Sequence, residues 1–265
     1  VATGAATAAF QTGDRFLALM LDPYLENRVG DAPAHQGAMN AYASLPRKAG
    51  SDRTVSDFDR RWTVWGAPFG ARGRIGGDAA NGTHTVSASN AGLAAGADYR
   101  LSPDSRVGFA LAGSAVNWGL GTLGSGRGEA IQGGAYAVTR SGNAYLSAAA
   151  SLGWYDLSTD RTVVAPGVID RLSAHYQTYS FGGRAEAGYR VALGNAGLTP
   201  YLAGQAQSFR TPGYRERDVF GLEAFALNYA GQSTGASRSE LGARFDSRFT
   251  LGQDTVLILR TRGAW

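Results

Sequence analysis

From residue 61 to the end of the chain, hydrophobicity alternates with a period of two, and in the longest runs the polar partner is often a charge. Tyr179, Phe181, Ala185, Ala187, Tyr189, Val191 and Leu193 alternate with Thr178, Ser180, Arg184, Glu186 and Arg190. Leu241, Ala243, Phe245, Phe249 and Leu251 alternate with Arg238, Glu240, Arg244, Asp246 and Arg248. Successive side chains of a strand project to opposite faces, so each segment carries one greasy face and one face of mixed charge. A dry core does not accept such rows, because each ionised group taken out of water costs several kcal/mol unless paired. A water-filled lumen does. The greasy face then belongs to lipid.

The stretch NAYLSAAASLGWYDLSTDR, Asn143 to Arg161, has the same design, with Ala144, Leu146, Ala148, Ala150, Leu152 and Trp154 on one face. Nine strands are read at 62–75, 90–101, 105–118, 129–140, 143–156, 176–193, 198–210, 237–251 and 255–265. The connections alternate long and short. GGDAANGTHTVSAS is followed by SPDS, GLGTLGSGRG by SG, LSTDRTVVAPGVIDRLSAH by GNAG, and the run from Thr211 to Ala236 by GQD. Up-and-down membrane barrels have this asymmetry, with short turns on one side and long loops on the other. A soluble sandwich gives no reason for it. Trp62, Trp65, Trp118, Trp154 and Trp265 lie near strand ends, where interfacial aromatic girdles are expected.

The first residues obey another rule. Between Thr7 and Arg28, Phe10, Phe16, Leu17, Met20, Leu21 and Leu25 recur at three- and four-residue spacing, and Pro23 ends the pattern near Asp22. This predicts a helix from about Ala6 to Asp22. Residues 1–30 thus form a helix and linker, 31–60 an irregular polar linker, and 61–265 the barrel domain. The helix is not uniformly apolar, since Gln11, Asp14, Arg15 and Asp22 interrupt it, which suits a lumen with charged walls. There its apolar side chains are expected to pack on glycines such as Gly92, Gly96 and Gly108, and Asp14 or Asp22 to meet an inward arginine. The chain opens on Val1 without an initiator Met or a signal peptide, and reads as an internal piece of something longer.

Little chemistry is legible. Without cysteine there are neither disulfides nor thiolate metal sites. The charge of +4 is carried by arginines that form no run or helical face, so nucleic acid is not an expected partner. GLGTLG at 119–124 resembles a dinucleotide fingerprint, but no helix can start in the SGRGEAIQGG that follows. His35, His84 and His175 lie far apart with no ligand partner three or four residues further on, and no GxSxG follows a strand into a helix. Asp98, Glu186 and Asp246 could act as acid–base pairs, but Arg100, Arg184 and Arg244 beside them favour structural ion pairs. No catalytic, cofactor-binding or metal site is assigned, and no cofactor is expected.

Several of these stretches, taken in order, resemble the translocator β-domain of autotransporters, the proteins of type V secretion. GWYDLSTDR is similar to an aromatic-aspartate-arginine strand end in that family. PYLAGQAQSFRTPGYRE, followed by GAS-RSELGARFDSRF with Ser237, Arg238 and Ser239 near the turn, resembles its seventh and eighth strands. RTRGAW resembles the start of the stretch leading to its last strands. The resemblance implies an outer-membrane barrel of twelve strands with a helix threaded through the pore, joined to a secreted passenger. It also implies outer-membrane lipid, the chain's own passenger and a barrel-assembly machinery as partners. With about nine strands present, a C-terminally truncated barrel is expected. The pore helix would present Phe10, Asp14, Arg15, Phe16 and Asp22. The lumen wall would present Arg100, Arg184, Glu186, Arg190, Arg238, Glu240, Arg244, Asp246 and Arg248. Paired asparagines for self-cleavage of the linker are absent; only Asn27 lies near the helix end. The alternatives are a general porin, or an anchor for an enzymatic or adhesive passenger outside this segment.

Overall fold

A computed structural model of the chain describes residues 2–22, 61–78, 80, 82–121, 123–166, 168–218, 225–250 and 256–265. The sequence-predicted linker at 31–60 and the last turn, GQD, lie outside these residues, as does the side chain of Arg248.

One helix, α1 (Ala2–Met20), precedes the strands. These are β1 (Trp62–Ile75), β2 (Val86–Arg100), β3 (Ser105–Gly119), β4 (Ser125–Ser141), β5 (Ala144–Ala165), β6 (Val168–Tyr189), β7 (Val191–Leu193), β8 (Ala196–Thr211), β9 (Tyr214–Arg215), β10 (Arg217–Asp218), β11 (Asn228–Tyr229), β12 (Gln232–Thr250) and β13 (Val256–Ala264). The long strands form one antiparallel sheet in the order β1-β2-β3-β4-β5-β6-β8-β12-β13. Each pairs with its neighbour in sequence, which is the up-and-down pattern. The sheet curls into a half-barrel around α1, and among the described residues β1 and β13 are not paired with each other. Two tight turns need glycine. Gly142 (φ 58°) joins β4 to β5 with Asn143, and Gly194 (φ 62°) joins β7 to β8 with Asn195; both backbones are left-handed, the conformation two-residue hairpin loops require.

The alternation resolves as the charges require. Leu93, Leu111, Ile131 and Leu241 are 60–69% exposed on the convex face. The even-numbered Leu146 and Leu152 of β5 are exposed on the same face, while Ser147, Ala149, Ser151 and Tyr155 are buried on the concave side. No helix among the described residues is long and apolar enough to cross a membrane, which leaves the strands to provide the apolar surface.

Two expectations about the connections are corrected. The residues from Leu157 to His175 are not a loop: β5 and β6 stay paired as far as Ala165 and Val168, well past the last outward tryptophan. Nor is the connection from β8 to β12 unstructured. It contains β9, β10 and β11, with β10 joined to β6 and β9 to β11. Apolar alternation stops near Trp154 and Tyr179, whereas the ladder, with a partner alongside, continues through polar sequence. The returning connection is fixed by a stack in which Tyr214 lies 4.1 Å from Tyr176 and 4.6 Å from Tyr229. Beneath it Arg161 grips the buried Glu216 through Nε at 3.1 Å and Nη2 at 2.6 Å.

Candidate functional site

On the concave side of the sheet, with α1 inside it, polar side chains from many strands converge. Phe16, Leu17 and Met20 are completely buried there. The direction of the helix follows from its neighbours. Gly4 lies against Trp118 and Leu120, at the end of the sheet where the strands overhang. Leu21 packs in one cluster with Trp65 and Tyr136, near the short turns. At 1.5 Å per residue the 19 residues of α1 span about 28 Å, enough to cross the sheet from one rim to the other.

Asp14 fixes the depth of the helix. Its carboxylate accepts from Gln205 Nε2, from Gln207 Nε2 at 2.5 Å and from Arg238 Nη1 at 3.2 Å, so one helical side chain is held by two strands. Gln207 also donates to the carbonyl of Phe10, itself half-buried against Phe209. Arg15 faces away and is exposed, and Asp22 is half-buried just past the end of the helix.

Below the helix the wall carries a connected charge network. Arg184 lies 3.0 Å from Glu186 and 3.2 Å from Glu240. Arg244 reaches Glu186 at 2.7 Å and the hydroxyl of Tyr145 at 2.6 Å, and its guanidinium lies 4.4 Å from the Tyr201 ring centre. Arg262 and Tyr201 both donate to Glu240, and Arg190 pairs with Asp246 at 2.7 Å. Arg184, Glu186, Glu240, Arg244 and Asp246 are buried, while Arg190 and Arg238 keep about half of their side-chain surface. Arg100 stands apart at the end of β2, half-buried, with its backbone N–H bonded to the carbonyl of Arg61 at 2.8 Å. Buried charges of this kind are tolerated because nearly every one has an opposite partner. The partners come from strands far apart in sequence, Arg184 and Glu240 being 56 residues apart, which sequence alone does not reveal.

The other wall is aromatic. Trp65 Nε1 donates to Tyr136 Oη at 2.7 Å, and Tyr136 donates to Asp98. Trp65 and Trp118 are therefore not girdle residues. Both are on the inward parity of their strands and buried, whereas Trp62, Trp154 and Trp265 lie outward or exposed. The predicted glycine contacts need the same correction. Gly92 is covered by Phe69, Gly96 by Trp65 and Gly108 by Tyr136, so these glycines accommodate wall aromatics, not the helix. The helix lies on other glycines: Met20 on Gly134 and Leu17 on Gly182. The signal was present in the parity of Trp65 and Tyr136, each an inward-facing ring beside an inward-facing glycine.

One triad-like arrangement was not anticipated. His175 Nδ1 lies 3.2 Å from Ser158 Oγ, and its Nε2 lies 3.2 Å from Asp156. It stands on the convex face with the His side chain 64% exposed, so it offers neither a shielded pocket nor a second group to stabilise a developing charge. His84 lies in the β1–β2 connection, and His35 lies outside the described residues. Among the described residues no group of three or more His, Asp or Glu side chains could hold a metal ion. Outside the spanning region, burial raises the Tyr176 phenol to about 12. Burial, with the neighbouring Asp218 carboxyl, raises Asp170 above the ordinary carboxylate range.

Comparison with known proteins places this architecture. A sequence model of the autotransporter β-domain matches residues 64–265. No curated protein sequence matches the chain. Among solved structures, the chain resembles the β-domain of the Bordetella autotransporter BrkA, with a TM-score of 0.59 and 23% identity over 77% of this chain and 78% of that one. It also resembles the translocator domain of the autotransporter NalP from Neisseria meningitidis, with a TM-score of 0.64 and 14% identity over 98% of this chain and 84% of that one. At these identities the likeness to the two structures is one of fold.

Proposed function

The chain belongs to the autotransporter β-domain family, and from that premise we propose that it is a translocator unit, residing in the bacterial outer membrane and exporting a passenger joined ahead of α1. The observation that carries the reading is the helix lying inside a sheet whose outer face is apolar. Its N-terminal end is at the rim where strands and connections are long, and its C-terminal end returns to the rim where β1 begins. In family terms the first rim is the cell exterior, so a passenger ahead of Val1 hangs outside while the helix stays in the pore.

In this reading Arg184, Glu186, Arg190, Arg238, Glu240, Arg244 and Asp246 line the lumen, with Arg100 at its lower rim and Arg248 next along β12. Phe10, Asp14, Phe16 and Asp22 seat the helix, and Arg15 faces the remaining water. Insertion by a barrel-assembly machinery and the division into helix, linker and barrel at 30 and 60 are parts of the same proposal. The chain's own residues supply transport and anchoring; any enzymatic or adhesive activity belongs to the passenger.

The experiment is surface accessibility in the full-length protein. An epitope placed ahead of Val1 is expected to be cut by protease added to intact cells. An epitope that stays protected while the barrel is inserted contradicts the proposal.

A further inference from the structure

The convex face changes character along one register row. Pro68, Leu93, Gly113, Ile131, Trp154 and Tyr179 are paired strand to strand from β1 to β6, and this is the last apolar row before the overhanging rim. Four residues further along each strand, the outward row reads Arg72, Ser89, Asn117, Arg127, Ser158 and His175. Arg74 follows on β1, directly opposite Ser87.

Charge on this rim is uneven. On β5 and β6 the acids have partners: Asp156 has His175 at 3.2 Å, and Asp160 has Arg171 at 3.6 Å. On β1 to β4 the surplus is basic. Arg72, Arg74 and Arg127 are exposed and have no hydrogen-bond or ion-pair partner among the described residues. Glu129 is the one acid facing outward from the described part of those four strands.

We infer that the outer rim of β1–β4 binds the phosphate-bearing headgroup of an outer-leaflet lipid. The inference rests on the membrane reading above, which puts this row in the headgroup layer, next to the apolar belt. Arginine suits the task, because its planar fork can give two parallel hydrogen bonds to a phosphate. Arg72 and Arg74 stand on one face about 7 Å apart, with Ser89 across from Arg72 as a hydroxyl donor, and three strand steps put Arg127 about 14 Å from Arg72. Each arginine held at an anionic lipid surface strengthens attachment about fivefold.

The test uses the full-length protein, reconstituted in phosphatidylcholine vesicles with and without a phosphorylated glycolipid (lipopolysaccharide), then extracted and assayed for bound lipid. The wild type is expected to retain the glycolipid. The triple variant Arg72→Gln, Arg74→Gln, Arg127→Gln should retain at least tenfold less, and Arg171→Gln, which alters an arginine already paired, should retain it as the wild type does. High salt should strip the lipid from wild type, an effect that needs no variant to fold. Equal retention by wild type and triple variant, both membrane-inserted, overturns the inference alone. Displacement by millimolar inorganic phosphate also overturns it, since the site would then be one for a free anion. Wild-type protein that never enters the vesicles overturns the membrane reading and this inference together.

Discussion

A Cβ added to Gly108 would lie 2.4 Å from the ring of Tyr136, and that ring is held in place by its bonds to Trp65 and Asp98. Its hydroxyl is bonded on both sides, so Gly108→Ala must shift the backbone of β3 or break the Trp65–Tyr136–Asp98 chain. Overpacking of this kind typically costs about 1–3 kcal/mol. Gly113, on the same strand but the lipid-facing parity, has nothing within 4 Å of the added carbon. Urea unfolding of the full-length protein should therefore show Gly108→Ala clearly destabilised and Gly113→Ala close to wild type. Equal effects would mean that strand flexibility, not the covering ring, sets the requirement at both sites. This contrast also shows what is legible at the scale of single residues. Parity predicts that Gly108 faces in and Gly113 out. That Tyr136 covers Gly108, and that Trp65 reaches across from another strand, depends on register, which the alternation leaves unspecified.

For whole elements, legibility followed hydrophobicity. The helix was expected at about 6–22 and lies at Ala2–Met20, because its apolar period is strong and Pro23 ends it. The outer halves of β5 and β6 were missed because polar residues in a hydrated hairpin leave no apolar alternation to read. The helix-to-wall contact was legible in part. An inward arginine was expected at Asp14 or Asp22 and is found at Asp14, whereas the two glutamines that complete its clamp gave no signal in sequence. The clamp predicts a functional effect. With α1 seated, buried residues from Ala5 to Leu21 fill the half-barrel, and the resting pore should conduct poorly. Removing residues 1–28 from a full-length barrel should raise single-channel conductance in planar bilayers. Asp14→Arg, which sets a like charge against Arg238, should give frequent transient openings while the helix is still present. Conductance unchanged in both would place the helix outside the conducting path.

The molecule as a whole inverts the usual arrangement, with large apolar side chains on the outside and paired charges within. That arrangement suits lipid, but lipid adds a demand that water does not. Every backbone N–H and C=O within the apolar layer needs a partner, and each one left bare costs several kcal/mol. The seven long strands between β1 and β13 meet this demand through their neighbours on both sides. The outer edges of β1, 14 residues long, and β13, nine residues long, have no strand beyond them among the described residues. The helix cannot cover these edges, since its own backbone groups are already bonded within it. Charge pairing cannot compensate either: the network of Arg184, Glu186, Glu240, Arg244 and Arg262 stabilises the wall from inside and leaves the edge groups as they are. Expressed by itself, the 265-residue chain is therefore expected to aggregate or to give no compact band that shifts on heating in detergent electrophoresis. A clean heat-modifiable species from this chain alone would mean that its edges find partners in lipid, either by β1 closing on β13 or by pairing between two copies. Cross-linking of cysteines introduced at Val64 and Ile258 would then tell closure within one chain from pairing between two.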